Sequence, residues 1–358
     1  MYKYVKIYIF IFMYLYLLCR LLGAENVSKK NKMTIRRYGR AGKRGTKSFI
    51  YLFIISVILL GIVYQIYGVY IHASEYGRVG KLIDINDNNM HLYTSGSSNI
   101  PFVFSSNIGA SSPYVEMYPL ASKLPKETTL AIYDKPGYGW SDITKAPRDI
   151  DTITSEIHTL LNTANYPTPF IWVAHATGSL EALRYAQRYP DEVAGIVLID
   201  GSSPEFCSTF NNIMVVESFL TNAIRNTGVL RLLKNTEPAQ KLLCSNDALP
   251  QNLKNMNEGL TLEKAWNRNM IEEKLKLKSN ANIILKAGSI GAIPLRIITS
   301  KANLYGTWQE TQTRMLSLSS NSSQTYIDKS TSFIEESDTA AILSIIEELE
   351  LSMQQEEE

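Results

Sequence analysis

A short stretch in the middle of the chain has the spacing of a catalytic turn but lacks the reactive side chain. An apolar run at 171–173 is followed by Ala174-His175-Ala176-Thr177-Gly178 and then by a helix-like segment. Small residues on both sides of a central residue permit a sharp strand-to-helix turn that exposes the central side chain as a nucleophile. Here the central residue is Ala176. A methyl group cannot attack a carbonyl, so the pattern predicts a vacant nucleophile position.

The positions of the histidines indicate that the general base is missing as well. In a triad built on such a turn the order is nucleophile, acid, histidine, so the base must follow the turn in sequence. The chain has only His72, His91, His158 and His175, and none follows residue 175. We expect His175, inside the turn, to have a packing role. The sequence therefore predicts that the nucleophile and the general base are both missing.

The elements that would hold this turn alternate between short apolar runs rich in β-forming residues and helical stretches. This alternation predicts the α/β class with a mostly parallel sheet, opened by a hairpin at 86–89. Helices are predicted at 151–161, 180–188 and 340–349, the last one before an acidic tail at 351–358. The predicted strands are 82–85, 90–93, 102–104, 129–133, 170–173, 195–199, 295–298 and 325–327.

Residues 207–290 interrupt the alternation between the sixth and seventh strands. They are polar, rich in Asn and Lys, and mostly helix-like. We interpret this segment as a helical lid that covers the active-site cleft rather than as an independent domain.

With these elements, residues 79–350 resemble the α/β-hydrolase superfamily, in particular membrane-anchored bacterial α/β-hydrolase-like proteins, with a degenerate catalytic triad. The resemblance implies the α/β-hydrolase fold: a mostly parallel eight-stranded sheet flanked by helices, with a lid insertion. Besides the turn at Ala176, the matching segments are 80–82 (Gly-Lys-Leu), 133–142 (Tyr-Asp-Lys-Pro-Gly-Tyr-Gly-Trp-Ser-Asp), 189–193 (Tyr-Pro-Asp-Glu-Val) and 197–200 (Val-Leu-Ile-Asp).

The resemblance also implies where the acid and the base should stand. No carboxylate follows the seventh strand before Glu310, so Asp200, at the end of the sixth, is the candidate acid. Ser332 occupies the position of the histidine, and its hydroxyl is a very poor proton acceptor. Without a histidine to orient, we interpret Asp200 as a strand-end carboxylate that caps local backbone N–H groups.

The oxyanion loop is implied at 105–109, where the sequence reads Ser-Ser-Asn-Ile-Gly. Asn107 replaces the flexible glycine of the family, and Asn tolerates left-handed backbone better than most residues. The donors would be backbone N–H groups near Ser106 or Asn107 and of Thr177. We expect the Thr177 side chain to point into the following helix.

The N-terminal part predicts a membrane anchor. Residues 48–71 are almost wholly apolar, about the length that a bilayer-spanning helix needs. Nine Lys and Arg residues crowd the preceding segment, 25–47, which predicts a cytoplasmic position there and an exoplasmic domain after residue 75. For the apolar segment 1–24, a second span, a signal-like segment and an artefact of an upstream start, with Met33 as the true start, all stay open.

Composition excludes several classes of function. A net charge of +2 over 358 residues suggests no nucleic-acid partner. No cofactor motif or His/Cys cluster is present, so no cofactor and no metal are expected. Three cysteines are too few for a disulfide framework, although Cys207 and Cys244 could pair or stay free.

These features favour a catalytically inactive protein, a pseudoenzyme, that is tethered outside the membrane and binds a small molecule or a protein partner through the former cleft. The alternative is a serine-hydrolase-like enzyme for esters, amides or lactones that uses substitutes such as Ser106, Asp200 and Ser332. A third hypothesis is a drifting gene copy with no selected role.

Overall fold

The computed structural model describes residues 35–75, 77–98, 100–243, 249–303, 306–328 and 336–357. The chain divides into two compact units, residues 1–58 and 59–358. In the first unit the described residues belong to helix α1 (Ile35–Glu75), which continues into the second. Within α1, Ile50–Ile71 has a mean hydropathy of 2.3 and is long enough to cross a membrane. The apolar segment 1–24 lies outside the described residues.

The second unit is built on one sheet of eight strands. The strands are β1 (Lys81–Asp84), β2 (Asn89–Ser95), β3 (Phe102–Ser105), β4 (Leu130–Asp134), β5 (Phe170–His175), β6 (Val193–Ile199), β7 (Leu295–Ser300) and β8 (Ser322–Ile327). Their order is β1-β2-β4-β3-β5-β6-β7-β8. Strand β2 pairs antiparallel with β1 and β4, and every other pair is parallel. The mostly parallel eight-stranded sheet expected from the sequence is confirmed.

Helices cover both faces of this sheet and fill the connection between β6 and β7. They are α2 (Pro113–Ala121), α3 (Ile150–Thr163), α4 (Gly178–Arg188), α5 (Pro204–Ser208), α6 (Val216–Asn226), α7 (Val229–Leu232), α8 (Glu237–Leu243), α9 (Gln251–Lys264), α10 (Arg268–Ala287), α11 (Trp308–Arg314) and α12 (Glu336–Glu357). Helices α5 to α10 form the lid, residues 204–287. The last helix extends to Glu357, through most of the stretch that the sequence analysis assigned to an acidic tail.

The core lies on the two faces of the sheet because the central strands are buried on both sides. On one face, Ile153, Ile157 and Leu160 of α3 pack with Trp172 of β5 and Leu183 of α4. On the other face, the apolar residues of α2 and α12 pack against alternate residues of the same strands. The sheet therefore holds the carboxyl ends of β3, β5, β6 and β7 in one rigid row.

The turn at 133–142 closes on itself through Asp134. Its carboxylate accepts a hydrogen bond from the Trp140 N–H at 2.9 Å and lies 2.8 Å from His91 Nδ1. Residue 139 must be glycine, because its φ is +45° and a Cβ there would lie 1.9 Å from the Asp134 carboxylate. Burial opposes protonation of His91, but Asp134 and the Val79 carbonyl outweigh it and raise the pKa of that imidazole.

Candidate functional site

A cavity of about 660 Å³ lies at the carboxyl ends of the central strands, under the lid. Ligands of open α/β sheets bind at this edge, because the loops diverge where the connections leave in opposite directions. Here β4 and β5 lie on opposite sides of β3. The sheet side of the cavity is formed by Asn107, Ile108, Ala176, Thr177, Asp200 and Asn303, and the lid side includes Phe206, Cys207, Met214, Leu242, Thr261, Trp266 and Lys274.

Ala176 lies in this cavity at the apex of the strand-to-helix turn. Its φ is +47°, a left-handed backbone that non-glycine residues rarely adopt. Hydrogen bonds hold the turn: the Ala176 N–H donates to the Ile199 carbonyl, and the Ala176 carbonyl accepts from the Ser202 N–H at 2.8 Å. The backbone thus retains the geometry that presents a nucleophile, while the side chain is a methyl group.

Thr177 faces the loop after β3, so the expectation that it points into the following helix is wrong. Its hydroxyl donates to Asn107 Oδ1 at 2.9 Å and accepts from the Ile108 N–H at 2.6 Å. Within this loop the left-handed residue is Gly109, with φ +84°, rather than Asn107. A hydroxyl oxygen therefore accepts a hydrogen bond from a backbone N–H of the loop at 105–109, the predicted oxyanion loop.

The neighbouring donor of that loop is occupied as well. The Asn107 N–H donates to Glu116 Oε1 at 2.9 Å, and the same oxygen lies 2.8 Å from His175 Nδ1. His175 is 3% exposed, so it packs behind the turn as expected. The N–H groups of Asn107 and Ile108 are thus both bound to the protein's own side chains, and the Asn107 N–H is one of the oxyanion donors predicted from the sequence.

Asp200 is held by four donors, and no histidine is among them. Its carboxylate accepts from the Ser300 N–H, the Asn303 amide, the Trp308 indole and the Gln312 amide at 2.9–3.2 Å. Only one of these is a backbone N–H group, so the expected capping role is a minor part of what the residue does. The carboxylate instead fixes Asn303 and Trp308 in the wall of the cavity.

The structure describes only some of the other predicted site residues. Ser106 is buried and does not line the cavity, and Ser332 lies outside the described residues. Lys301, which directly follows β7, is exposed and pairs with Asp328 at 2.7 Å. Ser179 is buried, and its hydroxyl donates to the Ser202 carbonyl.

Burial shifts the pKa values of two side chains on the lid side of the cavity. Burial raises the pKa of the Cys207 thiol to about 12, which leaves it a weak nucleophile. Burial also lowers the pKa of Lys274, whose ammonium lies 4.4 Å from the centre of the Trp266 ring and donates to Ser218. Cys244, the other half of the predicted cysteine pair, lies outside the described residues.

A buried charge cluster ties the lid to the sheet domain. Lys135 Nζ lies 2.5 Å from Glu181 Oε1 of α4 and 2.6 Å from Glu273 Oε1 of α10, and each of the three side chains is at most 9% exposed. Tyr138 donates to Glu273, and Tyr133 donates to Glu181. Burial disfavours the ammonium, but the two carboxylates outweigh it and raise the pKa of Lys135.

Several residues of this site carry no signal in the sequence. Glu116 reads only as an acidic residue in the first turn of α2, and Trp308 reads as an ordinary apolar residue. Their partners lie 59 and 108 positions away in the chain. Within the described ranges, no group of three His, Cys, Asp or Glu residues could hold a metal ion.

Comparisons with known proteins find matches to parts of the chain. Residues 101–225 match the family model of the alpha/beta hydrolase fold. The uncharacterized protein YbdG of Bacillus subtilis (strain 168) is 34% identical over 131 residues. That stretch is 37% of this chain and spans 40% of the length of YbdG.

Solved structures match a larger part of the chain. Cfl2 of Burkholderia cenocepacia superimposes with a TM-score of 0.58 at 17% identity, over 75% of this chain and 94% of Cfl2. The enol-lactonase of Burkholderia xenovorans LB400 gives 0.55 at 15% identity, over 75% of this chain and 98% of the lactonase. At these identities the likeness concerns the fold.

Proposed function

We propose that this protein is a non-catalytic member of the α/β-hydrolase superfamily and that it binds a small, partly apolar molecule in the cavity over Ala176. The observation that carries the proposal is the apex itself. A strained, well-held turn presents a methyl group, and Thr177 and Glu116 occupy the loop donors beside it. Loss of the nucleophile alone removes on the order of 10⁶ in turnover in a serine protease.

The cavity supports a binding role. Its volume of about 660 Å³ lies in the range of ligand sites in proteins, roughly 300–1,000 Å³. Its wall combines apolar side chains with a few polar groups, among them Asn303, Asn257 and Lys274. Apolar surface supplies most of the affinity in such sites, and the polar groups orient the ligand.

Membrane anchoring forms the second part of the proposal. Ile50–Ile71 has the length and hydropathy of a span, and the basic segment before it favours an exoplasmic position for residues 75–358. Resistance of the full chain to carbonate extraction tests the anchor. Protease digestion of sealed vesicles tests the orientation.

Two assays of the full-length chain test the binding role. We expect no labelling by a fluorophosphonate probe and no ester hydrolysis above the uncatalysed rate. We also expect mass spectrometry of an organic extract to find a co-purified small molecule. Covalent labelling by the probe would show that the protein is an enzyme.

Two variants test whether the co-purified molecule is bound in the cavity. Ala110→Phe adds a ring to a residue of the cavity wall and should remove the co-purified molecule. Ala287→Phe adds the same ring at an exposed position at the end of α10 and should retain it. Equal amounts in the two variants would place the molecule elsewhere.

A further inference from the structure

The lid presents an apolar face to its surroundings. This apolar lid face consists of residues that are 43–72% exposed: Ile213, Phe219, Leu220, Ile224, Leu232 and Leu233. In helix α6 the usual arrangement is inverted. Ser218, Thr221 and Arg225 face inward and are at most 9% exposed, while the apolar residues face outward. A helix at a water-facing surface directs its apolar stripe to the core, so this surface requires an apolar environment.

The lid also packs on the second half of the apolar segment of α1. Gln65 donates to the Leu262 carbonyl at 2.5 Å and accepts from Arg231 Nε at 3.0 Å. A Cβ at Gly61 would lie 2.1 Å from the Thr227 carbonyl oxygen, and one at Gly68 would lie 2.4 Å from Arg231 Nε. Positions 61, 65 and 68 share one side of a helix. The one strongly polar residue of the apolar segment is thus satisfied by the lid.

The opposite side of α1 is exposed over the same stretch of the helix. Val63, Ile66, Tyr67 and Tyr70 are 56–78% exposed, next in sequence to the residues that contact the lid. Residues 61–70 rise only about 14 Å along the helix axis. Apolar helix surface and the lid therefore lie in one layer, and a bilayer that surrounds the helix also reaches the lid.

Two residues of the cavity lining are also exposed at the surface of the lid. Met214 and Leu242 line the cavity and are also 55% and 40% exposed. Met214 immediately follows Ile213 of the apolar lid face. The apolar lid face therefore adjoins the cavity lining along the chain at this point.

We propose that the apolar lid face is inserted in the leaflet that surrounds the second half of the apolar segment, and that the cavity takes a lipid with an acyl chain directly from that leaflet. This inference rests on the anchoring and binding roles proposed above. It names the ligand class and the route by which the ligand reaches the site.

Lipid photolabelling of the full-length chain tests the inference. The protein is reconstituted in phosphatidylcholine vesicles that contain a phosphatidylcholine with a diazirine in its acyl chain. After irradiation, adducts are mapped by mass spectrometry. We expect adducts on residues 50–71, on residues 212–233 of the lid, and on residues 261–266 in the cavity wall. Adducts on 50–71 alone would overturn the inference and leave the anchor standing, whereas absence of adducts on all three would overturn the anchor as well.

Two double variants make the assay specific. Phe219→Glu with Leu220→Glu places two carboxylates in the proposed layer and should lower the adducts on 212–233 by about tenfold, because charge at membrane depth is costly. Leu275→Glu with Leu285→Glu makes the same change on α10, outside the apolar lid face, and should leave those adducts unchanged. Cross-links between the lids of two copies, in place of lipid adducts, would identify the face as a self-association surface and overturn the inference.

Discussion

At the scale of single residues, the site differs from a hydrolase by more than a missing hydroxyl. Ala176 removes the nucleophile, but Thr177 and Glu116 also fill the acceptor positions in front of the Ile108 and Asn107 N–H groups. A catalytic site keeps such donors open for the charge that develops in the transition state. We therefore expect that restoring a nucleophile and a base would not by itself give full activity.

This account predicts the outcome of a stepwise reconstruction. Ala176→Ser with Ser332→His should hydrolyse nitrophenyl esters poorly, and adding Thr177→Ala should raise kcat about 10²–10³-fold, the usual contribution of one oxyanion donor. The same addition of Thr177→Ser, which keeps the hydroxyl, serves as the control and should give no gain. Equal rates with and without the Thr177 hydroxyl would show that it does not block the site.

At the scale of elements, the lid is fixed to the sheet domain by a buried ion cluster. Lys135 follows β4 directly, and its partners Glu181 and Glu273 lie on α4 and on the lid helix α10. Removing the cation would leave two buried carboxylates without a partner. The loss of a partner from a buried ion pair lowers the free energy of unfolding far more than the loss of an exposed ion pair does.

We therefore expect Lys135→Met to lower the free energy of unfolding by about 3–5 kcal/mol, measured by urea denaturation of the full chain in detergent. Lys301→Met removes a lysine that is 56% exposed and pairs with Asp328, and it should leave the unfolding midpoint unchanged. Similar midpoints for the two variants would contradict the role of the cluster.

Sequence patterns predicted most of these elements because strands and helices have local signals. The runs that became β5 and β6 are continuous and apolar, and the spacing around Ala176 located the turn. The contacts that decide the chemistry have no such signal. Thr177 and Ile108 are hydrogen-bonded although they are 69 residues apart in the sequence, and Gln65 and Leu262 are 197 residues apart. Only folding of the chain brings these residues together.

At the scale of the whole molecule, the described exposed apolar residues are concentrated on α1 and on the lid. Elsewhere they occur singly, as at Ile143 and Tyr326. Single exposed apolar residues are ordinary on soluble proteins, whereas a contiguous apolar patch marks an interaction surface.

Removing the apolar segment of α1 should reveal the effect of these exposed apolar residues. A chain restricted to residues 75–358 lacks Gln65 and exposes its lid contacts together with the apolar lid face. We expect it to self-associate in buffer and to be monomeric in detergent, as measured by size-exclusion chromatography with light scattering. Phe219→Glu with Leu220→Glu should reduce the association. A monomer in plain buffer would show that these surfaces tolerate water.

The buried thiol of Cys207 has a practical consequence. It lies in the cavity wall, is 2% exposed, and has a pKa of about 12, so its thiolate is scarce at neutral pH. A maleimide must enter the cavity to react with it, and any occupant stands in the way. With Cys19 and Cys244 replaced by serine, the alkylation rate reports the occupancy of the cavity, and it can rank candidate lipids without an assay of turnover.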